Sequence, residues 1–200
     1  MGSNNSDIRS LTRDDISVKV VVLGAFGVGK TTLVSTVSEI TPLTTEGLMT
    51  EHAVGVDELP GPSEKTTTTV ALDFGRRTFS DIVLYLFGAP GQERFAFVVD
   101  QLMHGALGAV VLADTRQVEA AFPAIDRCEA AGIPFVVAVN RFDSAPLFPA
   151  DDLRAAFALR PDTPLLLCDA RHLASAVDVL VALVKHLMAR RPLTEMEPAS

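Results

Sequence analysis

Short apolar runs alternate with longer amphipathic segments along the chain, and clusters of glycine, proline and polar residues separate them. Four almost entirely apolar runs predict strands that are buried on both faces of a parallel sheet. They cover residues 18–23, 109–113, 135–139 and 165–168. Two further runs, residues 66–74 and 79–87, flank a Gly-Arg-Arg turn and predict a hairpin with one antiparallel edge strand. Arg76 and Arg77 would then lie exposed at the hairpin tip.

Helical periodicity follows most of the predicted strands. Segments without glycine, with apolar residues three or four positions apart, predict helices. They cover residues 30–40, 94–103, 118–131, 151–159 and 173–190. Residues 41–65 contain several prolines and glycines and predict a long loop, in which residues 45–53 could hold a short helix. The alternation predicts an α/β fold, a six-stranded, mostly parallel sheet with helices on both faces.

Composition indicates a single globular domain. Of the 200 residues, 48% are hydrophobic and 21% are charged, which favours a packed core over disorder. We expect one domain over residues 17–190, between flexible tails at 1–16 and 191–200. The net charge of −8 argues against a nucleic-acid binder. The apolar runs are too short to span a bilayer. The two cysteines, Cys128 and Cys168, suggest no disulfide framework, so a protein of the reducing cytoplasm is expected.

The segment Gly-Ala-Phe-Gly-Val-Gly-Lys-Thr at residues 24–31 fits the phosphate-binding loop pattern G-x-x-x-x-G-K-[ST]. It lies between a predicted strand and a predicted helix, a context in which backbone N–H groups form an anion-binding nest. Lys30 would reach the β- and γ-phosphates, and the Thr31 hydroxyl would bind Mg²⁺. The predicted nucleotide contacts from this segment are Gly24, Ala25, Phe26, Gly27, Val28, Gly29, Lys30, Thr31 and Thr32.

Four blocks of the chain resemble, in order and at compatible spacing, the motifs of the Ras-like small GTPases. Besides the phosphate loop, they are KTTTTVALDFG at residues 65–75, FGAPGQERF at 87–95 and NRFD at 140–143. Within that superfamily the chain is most similar to the bacterial conservon GTP-binding proteins, and more distantly to the bacterial polarity and gliding-motility GTPases. The resemblance covers residues 18–190. It implies a P-loop NTPase G domain that switches between GTP and GDP in bacterial signalling and hydrolyses GTP slowly with Mg²⁺, with residues 41–65 as an extended first switch.

The resemblance assigns the base-binding residues to two strand ends. Asn140, Arg141 and Asp143 match the guanine motif N-K-x-D, with arginine in place of lysine. The Asp143 carboxylate could accept hydrogen bonds from guanine N1–H and the exocyclic amine, a donor pair that adenine lacks. The S-A-K segment of the family is matched by Asp169, Ala170 and Arg171. An ordinary strand-end loop explains that last segment equally well.

For hydrolysis, the resemblance points to Gly91 and Gln92. In the family the glycine N–H meets the γ-phosphate and the glutamine orients the attacking water, so Gln92 and Lys30 are the predicted catalytic residues. Arg94 could stabilise charge in the transition state, but an exposed arginine on the following helix is the simpler interpretation. With no arginine finger evident in the chain, turnover should be slow unless a partner assists.

Most relatives carry an acidic residue three positions before Gly91, near Mg²⁺, whereas this chain has Gly88 there. Asp73, on the neighbouring strand of the predicted hairpin, is the candidate to replace it, and a solvated strand-end carboxylate is an equal alternative. In the threonine run that begins this strand, Thr69 is the predicted switch threonine and Thr68 the second choice. High strand propensity also explains the run. The predicted metal ligands are Thr31, Thr69 and Asp73.

Two other functions stay open at this point. The chain could hold guanine nucleotide as a sensing or structural ligand with little or no hydrolysis, which Gly88 favours. An ATP-dependent ATPase or phosphotransferase that uses the same loop is less favoured, because Asp143 matches a guanine-binding residue. The resemblance also implies a roadblock-type regulator and a sensor-kinase-like membrane protein as partners, through which the chain would visit the membrane.

Overall fold

The computed structural model describes the backbone of residues 15–50, 67–143 and 145–190, with side chains for all of these except 44–50 and 67–71. The predicted tail at 191–200, nearly all of the tail at 1–16 and residues 51–65 of the predicted loop lie outside the described residues. Within the described ranges, the structure contains no helix of the length and apolarity that a membrane crossing requires.

Seven strands form one mixed sheet in the described part of the chain, in the order β2-β3-β4-β1-β5-β6-β7. They are β1 (Ile16–Leu23), β2 (Leu43–Thr50), β3 (Thr67–Phe79), β4 (Ile82–Gly88), β5 (Gly108–Ala113), β6 (Phe135–Asn140) and β7 (Leu165–Cys168). Strands β4, β1, β5, β6 and β7 run parallel, whereas β3 is antiparallel to both of its neighbours. The predicted α/β fold with a mostly parallel sheet is confirmed.

The sheet has one strand more than predicted, because β2 forms within residues 41–65. The short helix predicted at 45–53 is wrong where the structure describes it, since Leu43–Thr50 is extended and pairs along its length with β3. This pairing satisfies backbone N–H and C=O groups along one edge of β3. The antiparallel strand β3 therefore lies one position inside the sheet, and β2 takes the edge.

The hairpin between β3 and β4 turns at Ser80 and Asp81, and not at the predicted Gly-Arg-Arg turn. β3 continues through residues 75–77, where Gly75 allows the first helix to pack closely on the strand. A Cβ atom at Gly75 would lie 2.9 Å from the Val34 Cγ1 atom. Ser80 adopts a φ of 54° and so supplies the left-handed conformation that the tighter turn needs.

Arg76 and Arg77 are consequently not at a solvated tip. The Arg76 side chain is only 12% exposed, and its Nε donates to Glu39 Oε1 at 2.9 Å. Glu39 also accepts hydrogen bonds from the backbone N–H and the hydroxyl of Thr78. Burial alone would raise the pKa of Glu39, but the bonds from Thr78 and Arg76 outweigh it and lower that pKa. The Arg77 guanidinium lies over the Phe79 ring.

Five α-helices cover the sheet in the residues that the structure describes. They are α1 (Lys30–Val37), α2 (Ala96–Met103), α3 (Phe122–Ala131), α4 (Ala150–Ala156) and α5 (Leu173–Arg190), with short 3₁₀ helices at Glu93–Phe95 and Val118–Ala121. Helices α1 and α5 pack on one face, and α2, α3 and α4 pack on the other. In β1, Val20 and Val22 face α1 and α5, whereas Val21 and Leu23 face the other layer, and all four are buried. Burial on both faces explains why the strand reads as a continuous apolar run.

The parallel strands end together at one edge of the sheet, where ligands bind in folds of this kind. The loop after β1 leads into α1, and the loop after β4 leads to Gly91 and Gln92. The loops that follow β6 and β7 begin at Arg141 and Asp169. The fold therefore brings four of the predicted motifs to the same edge.

Candidate nucleotide-binding site

The phosphate loop spans the gap between β1 and α1, and its glycines permit backbone conformations that other residues avoid. Gly24 has a φ of 138°, and a Cβ atom there would lie 2.5 Å from the backbone oxygen of Leu112. Gly29 has a φ of 104° and caps the start of α1. A Cβ atom on Gly29 would lie 2.5 Å from Asn140 Nδ2. These glycines let the loop pack against two neighbouring strand ends.

Lys30 is held across the loop by two backbone carbonyls. Its Nζ donates to the oxygen of Gly24 at 2.8 Å and to that of Ala25 at 2.7 Å. Burial lowers the pKa of Lys30 to about 8, and the negative charge of Asp73 opposes that shift. An anion bound in the loop would favour the charged form of the Lys30 ammonium.

Thr31 and Asp73 bring two oxygen-bearing side chains together beside Lys30. The Thr31 hydroxyl donates to Asp73 Oδ2 at 2.6 Å, and Asp73 is only 8% exposed. Asp73 is the cross-strand neighbour of Gly88, and a Cβ atom on Gly88 would lie 3.0 Å from Asp73 Oδ2. The carboxylate thus fills the space that a side chain at residue 88 would take. Hydroxyl and carboxylate oxygens are ligands of the type that Mg²⁺ takes, so the pair fits such an ion.

The loop after β4 closes over the phosphate loop. A Cβ atom on Gly91 would lie 2.5 Å from the backbone nitrogen of Phe26 and 2.6 Å from Lys30 Nζ, so only glycine fits there without movement. Gln92 is half-buried beside it and lines a cavity of about 420 Å³ that also contains Thr31 and Asp73. The predicted catalytic glutamine therefore shares one cavity with two of the predicted metal ligands, Thr31 and Asp73.

The predicted switch threonine, Thr69, lies in β3. Its backbone lies opposite Leu48, four residues before Asp73. Four residues of extended strand span about 13 Å. The side chains of Thr68 and Thr69 lie outside the described part of the chain, so their role in metal binding stays a prediction.

Asn140 ties the base-side loops to the phosphate loop. The residue is 5% exposed, and its Nδ2 donates to the backbone oxygen of Val28 at 2.9 Å. Its Oδ1 accepts a hydrogen bond from the backbone N–H of Ala170 at 3.0 Å. The Arg141 backbone N–H donates to the oxygen of Cys168 at 2.7 Å. One buried amide thus links the loops that follow β1, β6 and β7.

Asp143 projects from the loop after β6 and is paired with Arg171 from the loop after β7. The Asp143 side chain is 86% exposed. Its two oxygens accept from Arg171 Nη1 at 3.2 Å and Nη2 at 3.0 Å. Those hydrogen bonds hold the pKa of the Asp143 carboxyl below its usual value. Arg171 also binds Asp169, which lowers the pKa of Asp169 as well.

The segment after β5 lies beside the phosphate loop, a neighbour that the sequence patterns did not predict. Ala25, Phe26 and Gly27 share a cavity of about 340 Å³ with Asp114 and Arg116. Phe26 is 78% exposed and lines both this cavity and the cavity that contains Gln92. In the sequence, this segment is marked by the change from an apolar predicted strand to polar residues at position 114.

Arg116 connects this segment to the base side. Its guanidinium hydrogen-bonds to Asp114 and lies 3.9 Å from the centre of the Phe142 ring. The Thr115 hydroxyl donates to the backbone oxygen of Pro146 at 2.8 Å. These contacts hold the loop that carries Asp143 against the end of β5.

Comparison with known proteins places the chain among nucleotide-binding proteins. The model of a family described as "conserved hypothetical ATP binding protein" matches residues 22–190. An uncharacterized protein of Methanocaldococcus jannaschii is 31% identical over 131 residues, which cover 63% of this chain and 71% of that protein. Together with the loop geometry, the family match confirms the predicted nucleotide-binding P-loop protein.

Solved structures of FeoB resemble the fold. The cytosolic domain of the T. maritima FeoB iron transporter in its apo form superimposes with a TM-score of 0.62 at 16% identity, over 86% of this chain. The chain spans 64% of the length of that domain. The FeoB G-domain from Methanococcus jannaschii gives a TM-score of 0.59 at 12% identity, over 86% of this chain and 97% of the other. At this identity the likeness concerns the fold.

Proposed function

We propose that this chain, which belongs to the P-loop NTPase family described as conserved hypothetical ATP binding protein, binds a guanine nucleotide. On this proposal the protein is a GTP/GDP switch that hydrolyses GTP slowly with Mg²⁺. The observation that carries it is the Asn140 amide, which joins the phosphate loop at Val28 to Ala170 beside Asp143. Phosphate and base recognition are thereby built into one rigid unit.

Asp143 supports guanine as the base. Its two carboxylate oxygens accept two parallel N–H donors from Arg171, which shows that the group has the geometry to accept such a donor pair. Guanine presents N1–H and an exocyclic amine side by side, whereas adenine presents an acceptor next to its amine. Adenine would leave one carboxylate oxygen facing a lone pair, which disfavours it.

The phosphate end supports a triphosphate. Lys30 and the backbone N–H groups of the loop would hold the β- and γ-phosphates. Thr31 and Asp73 would hold Mg²⁺, which when bound would neutralise phosphate charge. Gln92, at the edge of the same cavity, would orient a water for attack on the γ-phosphate.

Slow turnover follows from the position of the nearest arginine. The Arg94 guanidinium packs 4.7 Å from the centre of the Phe95 ring and is exposed. Arg94 also lines the cavity that contains Gln92, but its guanidinium packs on the neighbouring ring, so it would have to move before it could stabilise charge on the γ-phosphate. Loss of the γ-phosphate would remove contacts to Gly91 and Thr69 and release the switch segments. The roadblock-type regulator, the sensor-kinase-like partner and the conservon assignment remain predictions from the resemblance.

The second candidate is an ATP-binding protein, because the family description names ATP. Titration of fluorescent GDP, GTP and ATP with and without Mg²⁺, followed by phosphate release, separates the two. Guanine-selective, Mg²⁺-dependent binding with slow phosphate release is the expected result. Equal or tighter ATP binding would replace the guanine proposal with the ATP one. Guanine binding without phosphate release would leave a binding module that hydrolyses little.

A further inference from the structure

Arg171 is hydrogen-bonded to the Asp143 carboxylate, the group that binds the base in the proposed function. Its Nη1 and Nη2 atoms donate to the two oxygens of Asp143 at 3.2 Å and 3.0 Å. This is a fork-to-fork arrangement, with two parallel N–H···O bonds between two planar groups. Both oxygens of the recognition carboxylate are therefore engaged before any nucleotide arrives.

The guanidinium group of arginine and the recognition edge of guanine are chemically alike. Each presents two N–H donors on nitrogens that share one carbon atom, so each matches a carboxylate in the same two-bond geometry. A single carboxylate cannot form this arrangement with both partners on the same side. Guanine must therefore displace Arg171 from Asp143 to form its own pair of bonds.

A second carboxylate, that of Asp169, also binds Arg171 and would keep it near the base after the exchange. Asp169 accepts from Arg171 Nε at 2.9 Å and from Nη2 at 2.8 Å, and it also accepts from the Arg171 backbone N–H at 3.0 Å. His172 Nδ1 lies 3.1 Å from the Asp169 carboxylate. When guanine takes Asp143, Arg171 keeps its pair with Asp169 and stays near the base.

We propose that Arg171 is an internal competitor for the base site: it satisfies Asp143 in the empty protein and lowers the affinity for guanine nucleotides. This inference rests on the proposed guanine specificity. Arg171 and Asp143 are 51% and 86% exposed, so their pair is a solvent-screened one. Exposed pairs of this kind contribute little, so removal of the competitor should tighten binding by about two- to fivefold.

The test compares GDP and ADP binding to the full chain and to three variants. Arg171→Met removes all donors at similar length, and Arg171→Lys keeps the charge but loses the fork. Arg190→Met is the matched control, because Arg190 forms a comparable exposed pair with Asp162 at 3.1 Å, away from the base loops. We expect tighter GDP binding in Arg171→Met, a smaller gain in Arg171→Lys, no change in Arg190→Met, and no change for ADP.

Salt concentration and a double variant complete the test. Salt screens exposed pairs, so the affinity ratio between Arg171→Met and the unchanged protein should approach one at high salt. In an Asp143→Ala background, Arg171→Met should have no effect on GDP binding. Weaker or unchanged GDP binding in Arg171→Met at low salt overturns the inference. If Asp143→Ala leaves the preference for GDP over ADP intact, the guanine proposal itself fails, and the two failures are therefore distinguishable.

Discussion

The Asp73 carboxylate on β3 occupies the space directly over Gly88 on β4, where a Cβ atom at residue 88 would lie 3.0 Å from Asp73 Oδ2. The same oxygen accepts a hydrogen bond from the Thr31 hydroxyl at 2.6 Å. An acidic group thus stands beside the phosphate loop although it comes from the neighbouring strand. This arrangement gives a physical reason for glycine at residue 88.

If Asp73 supports Mg²⁺, Asp73→Ala should weaken Mg²⁺-dependent GTP binding by about 10- to 100-fold, the usual cost of losing a group that orients a metal site. Titration of GTP at several Mg²⁺ concentrations measures the effect. Gly88→Asp in the Asp73→Ala background should restore part of it, because it returns a carboxylate to the vacated space. Gly88→Asp alone should weaken binding, since two carboxylates would then meet. Unchanged Mg²⁺ dependence in Asp73→Ala would contradict the assignment.

Gln92→Leu should reduce GTP turnover without changing nucleotide affinity. Leucine fills the same space in the cavity but cannot orient water, and poor positioning of a reacting group costs about 100-fold. Single-turnover phosphate release gives the rate, and GDP titration gives the affinity. Gln117→Leu is the control, because Gln117 lines the neighbouring cavity on the other side of Phe26. An unchanged rate in Gln92→Leu removes this residue from the mechanism.

The pKa of Lys30 predicts opposite pH trends for stability and for binding. In the fold it is about 8, below the ordinary value of 10.5. Between these pH values the unfolded chain binds more protons at Lys30 than the folded chain does. The free energy of unfolding of the nucleotide-free protein should therefore rise with pH across that window. Phosphate groups favour the charged ammonium, so nucleotide affinity should fall as pH rises through the same window.

Calorimetry measures this coupling directly. Near pH 8, where Lys30 is half-protonated, GDP binding should take up about half a proton. The uptake appears as a dependence of the binding enthalpy on the ionisation enthalpy of the buffer. The phosphates are already ionised at this pH, so they add little to the signal. Binding enthalpies that are the same in two buffers of different ionisation enthalpy would show that Lys30 is already charged in the empty loop.

Asp143→Asn should exchange guanine for xanthine as the preferred base. An amide has one acceptor and one donor side, so it would oppose the guanine amine but pair with the carbonyl that xanthine has in its place. GDP affinity should fall by about 100-fold or more, because the site leaves a polar group unpaired. Competition between GDP, xanthosine diphosphate and ADP measures the change. A variant that keeps its preference for GDP would exclude Asp143 from base recognition.

The local motifs of this chain were accessible from its sequence. The phosphate loop depends on contiguous residues. Its glycines lie between β1 and α1, and Lys30 and Thr31 begin α1, as the strand and helix patterns predicted. Strands buried on both faces produce continuous apolar runs, so β5 and β6 were recognised at nearly their observed limits. Such features depend on neighbours in sequence and on burial, which residue types reveal directly.

Tertiary structure decided what depends on distant residues. The edge strand β2 forms because β3 offers unpaired backbone groups, although glycine and proline nearby suggested a loop. The packing of α1 on Gly75 carries β3 through the predicted turn and buries Arg76 against Glu39. Residue types alone do not reveal such long-range contacts.

The same distinction holds within the site. The sequence by itself determined that a P-loop, a Gly-Gln segment and an Asn-Arg-Phe-Asp segment exist at strand ends. From the sequence, Asp73 had two equal interpretations, and the fold decided between them by placing its carboxylate over Gly88. Only the fold paired Arg171 with Asp143. A motif states which groups are present, whereas their partners depend on strand register and loop packing between residues far apart in the chain.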